Sequence, residues 1–488
     1  MTSPSSTLYS QCPKLYASDG VNHRKYVPVD SMRELVNKES ISSELKRKKK
    51  IPWGVSKCAA QIEEKSSKLF LTLVLSGKAP DIRRLRKAGF TDNDLPLIKL
   101  DDTTLQSSSE EKKLFETPKG WKEQTIDTFI EKQWMMIAPI FNSNGEHRDF
   151  DTNICLPFDN LDEKGHSNTS IVFKANIHKA HQIGFENDSP SLSVALKEFR
   201  LQGNYSGNHS GNYFEDEREN LVMIRGLANN EHITKSFGSF CQGNRKFMIF
   251  PWADGGDLDN FWQEKDADKR SPELLVWSLE QMLGLAEGLQ ALHHRVGEKI
   301  NLRHGDLKPG NILHFLTGEG RGILKITDFG ISKIHNVNTF ERMDNPTNTR
   351  ATSPSYEAPE AVSKEKKARS RKYDIWSLGC IYLEFAIWLI HDWKSIQDFN
   401  EERKPKAYYT SNFAHFYHDS NGQVEVHPKV NEKIKSLKSN PQCGENSPLK
   451  DLLDLIDAHL LRVEVDDRLD AEGLRRRLAD IVKKAKPE

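Results

Sequence analysis

The chain has 488 residues, of which 36% are apolar and 29% charged, and its 70 Lys plus Arg balance 70 Asp plus Glu. That length holds one large domain or two to three ordinary ones, with some solvated stretches. Zero net charge removes any whole-chain electrostatic case for nucleic acid or an anionic membrane as partner. The six cysteines (Cys12, Cys58, Cys155, Cys241, Cys380 and Cys443) include no C-x-x-C pair. The sequence therefore offers no zinc site, and the thiols read as reduced residues of an intracellular protein. Met1 to Thr7 is polar, without the apolar core of a signal peptide. The longest apolar stretch, Ile375 to Ile390, carries Glu384 and falls short of the ~20 residues of a membrane span. It reads as a helix buried in protein. The expected location is the cytoplasm, with the nucleus as the alternative.

In chain order, residues 1–55 read as a disordered, Ser-rich basic tail ending in Lys46-Arg47-Lys48-Lys49-Lys50. That run is a solvated tail or a nuclear address. Residues 56–118 read as a helical region followed by an acidic, Ser-rich linker over 101–118. The apolar cluster Leu69, Leu71, Leu73, Val74 and Leu75 anchors the helical part, with Leu85, Leu95 and Leu97 behind it. Residues 119–154 form a connecting segment, strand-like from Trp134 to Phe141. Residues 155–485 read as one domain. Within it a helix starts at Ser271, a good N-cap, with Pro272 and Glu273 in the first turn. Leu275, Leu279, Met282, Ala286 and Leu289 then make one apolar stripe, and the helix ends near His293.

That helix leads to His304-Gly305-Asp306-Leu307-Lys308-Pro309-Gly310-Asn311. Phosphoryl transfer requires a carboxylate that orients the acceptor and a metal-held triphosphate. Asp306 suits the first task, Lys308 can neutralise charge on the moving group, and Asn311 can hold a metal ion. Ile326-Thr327-Asp328-Phe329-Gly330 follows, with Asp328 placed 22 residues after Asp306. Ile323, Leu324 and Ile326 suggest a strand delivering Asp328, with a hairpin tip at Thr317 to Gly322. Ala358-Pro359-Glu360, Tyr373-Asp374-Ile375-Trp376-Ser377-Leu378-Gly379 and Asp467-Arg468 complete the series.

In this order the motifs resemble the eukaryotic-type protein kinase superfamily, and Lys308 after Asp306 resembles its serine/threonine branch. The resemblance implies an α+β, two-lobed protein kinase fold: a small antiparallel β lobe with one helix and a large α-helical lobe, here with an N-terminal helical region. On that basis residues 119–154 are a pre-kinase segment and 155–485 the kinase domain. Asp306 and Lys308 are the expected catalytic pair, and Asn311 and Asp328 the expected magnesium ligands. Lys197 in Val194-Ala195-Leu196-Lys197 is the expected phosphate-gripping lysine. Glu217 is its expected ion-pair partner, with Glu215 and Glu219 as competitors. Phe250 would be the gatekeeper, and the backbone of Pro251 and Ala253 would meet the adenine. Asp374 is expected to bond the catalytic-loop backbone, and Arg468 to pair with Glu360. The implied cofactors are ATP and Mg2+, and the implied partners are protein substrates.

Two departures stand out. The phosphate-covering loop is Gly165-His166-Ser167-Asn168-Thr169-Ser170-Ile171-Val172, in which only the first of three family glycines survives. Gly165 and Val172 are still expected to border the nucleotide, with weakened ATP binding. Gly305 stands where many family members carry an arginine that anchors an activation-loop phosphate. Activity is therefore expected not to rest on one such phosphate, although Lys333, Arg342 or Arg350 could substitute. Ser353 reads as a structural hydroxyl first and a phosphosite second. Lys68 to Lys78 and Glu131 to Pro139 are similar to the N-terminal regions of an expanded kinase set of filamentous fungi. Two other readings stand beside the kinase. A pseudokinase scaffold is favoured by the degenerate loop and opposed by retention of Lys197, Glu217, Asp306, Lys308, Asn311 and Asp328. A small-molecule phosphotransferase is opposed by Ala358-Pro359-Glu360 and the pattern from Asp374 to Gly379.

Overall fold

The computed structural model describes residues 7–47, 55–167, 169–185, 191–200, 213–226, 230–268, 270–294, 302–316, 320–329, 333–334, 354–361, 370–405, 413–420 and 422–486. The chain divides into two compact units, one of residues 1–201 with 237–250 and the other of 202–236 with 251–488.

The first unit begins with ordered structure where a disordered tail is expected. Strands β1 (Ala17–Asp19) and β2 (Arg24–Tyr26) form an antiparallel pair, and helices α1 (Val29–Leu35) and α2 (Lys38–Arg47) follow. The physical reason is burial. Cys12, Val27, Val36, Ile41 and Leu45 are almost wholly withdrawn from solvent and share one core with the next segment. Lys48 to Lys50 lie outside the described residues. Helices α3 (Val55–Lys65) and α4 (Ser67–Leu75) follow, and the apolar cluster from Leu69 to Leu75 is buried on all sides. The expected acidic linker is instead part of a three-stranded sheet, β3 (Leu97–Lys99), β4 (Thr104–Ser107) and β5 (Leu114–Glu116). Alternation explains it: Leu105 and Phe115 point into the core while their neighbours face outward. Helix α5 (Glu123–Gln133) closes this region. The strand expected from Trp134 to Phe141 reduces to a 3-10 turn (Trp134–Met136) and a two-residue strand (Phe141–Asn142).

A six-stranded sheet completes the first unit. Its strands are β6 (His147–Phe150), β7 (Phe158–His166), β8 (Ser170–His178), β9 (Ser191–Phe199), β10 (Gly238–Gln242) and β11 (Arg245–Pro251), in the order β6-β10-β11-β9-β8-β7. The expected purely antiparallel sheet gains a strand here. β6 comes from the pre-kinase segment and pairs in parallel with β10. A stack of Phe141, Phe150, Phe158, Phe240 and Phe247 fills the sheet's core.

In the second unit helix α6 (Tyr213–Arg225) precedes α7 (Leu258–Glu264) and α8 (Pro272–His293). The one helix expected with the small β lobe, α6, thus groups with the helical unit. Ser271 caps α8 as its sequence requires, its hydroxyl accepting the Leu274 N–H. A hairpin of β12 (Ile312–Phe315) and β13 (Ile323–Ile326) follows. Its tip includes residues 317–319, outside the described residues.

Helix α9 (Lys372–Ile390) is long and apolar enough to cross a membrane by length and composition, yet it is wholly buried in protein from Tyr373 to Ile390. Two of its large side chains bond across to neighbouring helices: Tyr382 Oη donates to the Met282 carbonyl, and Trp388 Nε1 to that of Trp262. Gly379 lets α9 approach Leu460 and Leu461, where a Cβ would come within 2.8 Å of Leu460. Helices α10 (Trp393–Arg403) and α11 (Ala471–Ala485) complete the elements used below. α11 lays Leu474, Leu478, Ile481 and Val482 against the core, the spacing of one helical face.

Candidate active site

The β12–β13 hairpin brings two loops together. It sets Asn311, just before β12, beside Thr327, just after β13, and the Thr327 N–H donates to the Asn311 carbonyl at 3.0 Å. Asp306 and Asp328 therefore leave adjacent ends of one small ladder. Asp306 is 6% exposed, and Lys308 Nζ lies 2.9 Å from its Oδ2. Asn311 Nδ2 donates to the Asp306 carbonyl at 2.8 Å and to Oδ2 at 3.1 Å. With its amide nitrogen committed, the side-chain oxygen of Asn311 is the atom left to meet a cation.

The loop's backbone is organised from α9. Asp374, wholly buried, accepts the His304 N–H at 2.9 Å, the Gly305 N–H at 2.8 Å and His293 Nε2 at 2.9 Å. Burial pushes its carboxyl pKa upward, but the His293 hydrogen bond and the favourable electrostatics of the surrounding His293, His304 and Arg303 prevail, leaving it below its ordinary value. Gly305 holds φ at +83°, a conformation glycine adopts without a Cβ penalty. His304 Nδ1 accepts the Asp306 N–H at 3.2 Å while Nε2 donates to the Thr327 carbonyl at 2.9 Å. One imidazole thus ties the two functional loops. From sequence alone His293 marks only a helix end. Its bond to Asp374 joins the last residue of α8 to the first turn of α9, 81 residues on, which spacing alone does not reveal.

Asp328 sits at φ +64°, the left-handed region that a non-glycine residue occupies at a cost of order 1 kcal/mol or more. Phe329 beside it is buried and meets the His304 ring edge-on at 5.3 Å. Its carbonyl accepts Asn220 Nδ2 of α6 at 2.8 Å. Asn220 shares the buried face of α6 with Glu217, Leu221 and Ile224. Among the competing glutamates, Glu215 pairs with Arg218 at 2.8 Å and Glu219 is exposed, so Glu217 is the buried one. Gly330 lies outside the described residues, as do Arg342, Arg350, Ser353 and the Lys333 side chain.

In the first unit the sheet register collects three expected residues. Gly165 on β7 faces Val172 on β8, which faces Lys197 on β9, so the three form one row across the strands. Lys197 Nζ lies 5.2 Å from the centre of the Phe199 ring. At the β7–β8 turn, Ser167 Oγ accepts the Ser170 N–H at 3.0 Å and the Thr169 N–H at 3.2 Å, and lies 3.1 Å from Ser170 Oγ. The serines that replace glycine thus close the turn on itself. Phe250 ends the first unit and Pro251 begins the second stretch of the other. The Ala253 carbonyl accepts the Gly256 N–H at 3.2 Å.

Further along the second unit, Arg468 makes a two-pronged pair with Glu360, both bonds at 2.8 Å. Nearby, Tyr356 Oη donates to Glu384 Oε2 at 2.9 Å. Arg403 lies between the Phe399 and Phe416 rings, 3.7 Å from Glu384 Oε1. Burial drives the Glu384 carboxyl up to about 7 despite Arg403 and Tyr356.

A buried aspartate bonded to a lysine two residues on, an asparagine five residues on and a second aspartate across a short hairpin define a phosphotransferase-type site. The protein kinase domain family matches residues 185–476, more than half of the chain, and the chain belongs to that family. The match begins after the β7–β8 turn, the segment in which the glycines are replaced. The chain is 33% identical over 178 residues to serine/threonine-protein kinase 10 of Xenopus tropicalis, covering 35% of this chain and 17% of that protein. It is 29% identical over 223 residues to serine/threonine-protein kinase chk-2 of Caenorhabditis elegans, covering 45% and 43%. With serine/threonine-protein kinase tousled-like 2 of Mus musculus it shares 29% over 197 residues, 39% and 26% of the two chains. The chain thus spans less than half the length of these relatives.

Proposed function

We propose that this chain is an ATP-dependent protein kinase that transfers the γ-phosphate to serine and threonine hydroxyls of proteins. The observation that carries the proposal is the bonded set Asp306, Lys308 and Asn311, held by the buried carboxylate of Asp374. The names of the relatives agree with it.

Asp306 takes the role of orienting the acceptor hydroxyl and receiving its proton. Lys308, already 2.9 Å from Asp306, is placed to balance negative charge as the phosphoryl group moves. Asn311 and Asp328 suit magnesium chemically, since both present oxygen, the donor that a small hard cation takes. Bound ATP with Mg2+ supplies the phosphoryl group and neutralises its charge. Lys197 is assigned to the α- and β-phosphates and Glu217 to holding that lysine. Gly165 and Val172 border the nucleotide, Phe250 is the gatekeeper, and the backbone of Pro251 and Ala253 meets the adenine edge.

The test is incubation of the purified chain with γ-labelled Mg-ATP and a mixture of protein substrates, with mass spectrometry to map modified residues. Label on serine and threonine in the parent, and its loss in a folded Asp306→Asn variant that still binds ATP, is the expected result. No transfer by a parent that binds Mg-ATP would overturn the proposal in favour of a binding scaffold.

A further inference from the structure

In the first unit, parallel pairing of β6 with β10 sets His147 opposite Ser239 and Asp149 opposite Cys241. Residues two apart on a strand share a face, so these four side chains form one patch. From it we infer a binding site for a divalent, borderline-soft cation of the zinc type, with His147, Asp149 and Cys241 as ligands and Ser239 as the residue that orients the imidazole.

The geometry carries the assignment. His147 Nδ1 lies 2.8 Å from Ser239 Oγ, and Ser239 is almost buried. With Nδ1–H donating to that hydroxyl, Nε2 carries the lone pair, the arrangement of a metal-bound histidine with its outer-shell partner. Nε2 lies 3.6 Å from Asp149 Oδ1 and 3.9 Å from Cys241 Sγ. All three ligand atoms lie within 4.8 Å of one another. In a tetrahedral zinc site, bonds of about 2.0–2.3 Å put nitrogen roughly 3.3 Å from an oxygen ligand and roughly 3.5 Å from sulfur. A contraction of a few tenths of an ångström brings both edges from Nε2 to those lengths, and the exposed Asp149 side chain can swing to close its edge with Cys241, which lies within 4.8 Å. Among the described residues this is the one such group of histidine, cysteine and carboxylate ligands.

Charge and donor type select the ion. On binding, Cys241 releases its thiol proton to solvent and coordinates as thiolate, Asp149 as carboxylate and His147 as neutral imidazole. Their two negative charges cancel a divalent ion, and a fourth position is left for water. Sulfur and imidazole favour Zn2+ over Mg2+, which takes oxygen ligands. The bound ion would clip the strand from the pre-kinase segment to the edge of the sheet.

The test uses the full chain, stripped with a chelator and titrated with Co2+ as the probe. One equivalent should produce a thiolate-to-cobalt charge-transfer band and the visible bands of tetrahedral cobalt. Zn2+ should displace it and Mg2+ should not. Cys241→Ser should abolish the charge-transfer band, His147→Gln should abolish binding, and Ser239→Ala should weaken it about 10–100-fold. The Asp149 side chain is 82% exposed, so Asp149→Asn tests coordination with little risk to folding and should lose affinity by at least about tenfold. Unchanged cobalt affinity in Asp149→Asn overturns the site. So does a band that survives Cys241→Ser but vanishes in Cys58→Ser, the other cysteine that is not buried.

Discussion

Two buried aspartates organise the two units in the same way and differ in how they can be found. In the second unit Asp374 gathers two backbone N–H groups of the catalytic loop, His304 and Gly305, together with His293. In the first unit Asp19, equally withdrawn from solvent, gathers the backbone N–H groups of Val21, Asn22 and Leu156 and the Asn22 side chain, all between 2.9 and 3.0 Å. Each carboxylate joins segments far apart in sequence, Asp374 through three hydrogen bonds and Asp19 through four. Asp374 sits inside a motif whose order is recognisable, whereas Asp19 lies in a Ser- and Lys-rich stretch that reads as a tail. The difference teaches that a polar anchor is legible through the pattern around it, even where the physics of the anchor is the same.

The largest expected effect is at Asp374. Asp374→Ala strands three donors, one of them on a buried histidine, which should cost about 3–5 kcal/mol in urea unfolding and abolish phosphate transfer. Because its carboxyl pKa lies below the ordinary value, its contribution is full above that ordinary value and is lost as pH falls through the lowered one. The variant should therefore lack that acid-sensitive part of the parent's stability curve.

Asp19→Ala should cost less, about 1–3 kcal/mol, and show as faster hydrogen exchange at Val21, Asn22 and Leu156. Its loss of transfer should be well below that of Asp374→Ala. Equal abolition of transfer in two folded variants would break the distinction between an anchor of the catalytic loop and an anchor of the N-terminal region.

Glu384 sharpens the comparison, because it is a buried carboxylate served by the Tyr356 hydroxyl and Arg403 instead of backbone N–H groups. Its pKa is raised to about 7 from an ordinary 4.5, burial being the main cause. The stability it contributes is complete below the ordinary value and is lost as pH rises through about 7, the reverse of Asp374. Urea midpoints at about pH 5 and about pH 8 should fall with pH in the parent and fall less in Glu384→Gln. An identical slope in both would remove Glu384 from the account.

The smallest effect is expected at the β7–β8 turn, where a serine hydroxyl plays the acceptor. Replacing Ser167 and Ser170 together by glycine frees the Thr169 and Ser170 N–H groups from that hydroxyl. The Michaelis constant for ATP should fall by about tenfold, the lower end of what one charge-assisted hydrogen bond is worth. A rise would mean that the closed turn is itself the better nucleotide contact.

The sequence by itself determined the order of the phosphotransfer motifs, the capped helix ending at His293 and the buried character of α9. Each is written in local spacing: a loop of fixed length, a 3.6-residue stripe, an apolar run. Contacts between distant segments were decided by tertiary structure. Residues 7–47 are ordered because their apolar side chains join a core built with residues 55–136. The supposed linker is sheet because Leu105 and Phe115 enter that same core. β6 joins the sheet in parallel and brings His147 and Asp149 to Cys241, ligands separated by nearly a hundred residues. Counting C-x-x-C pairs cannot find such a set, because strand register, and not spacing along the chain, fixes which side chains meet.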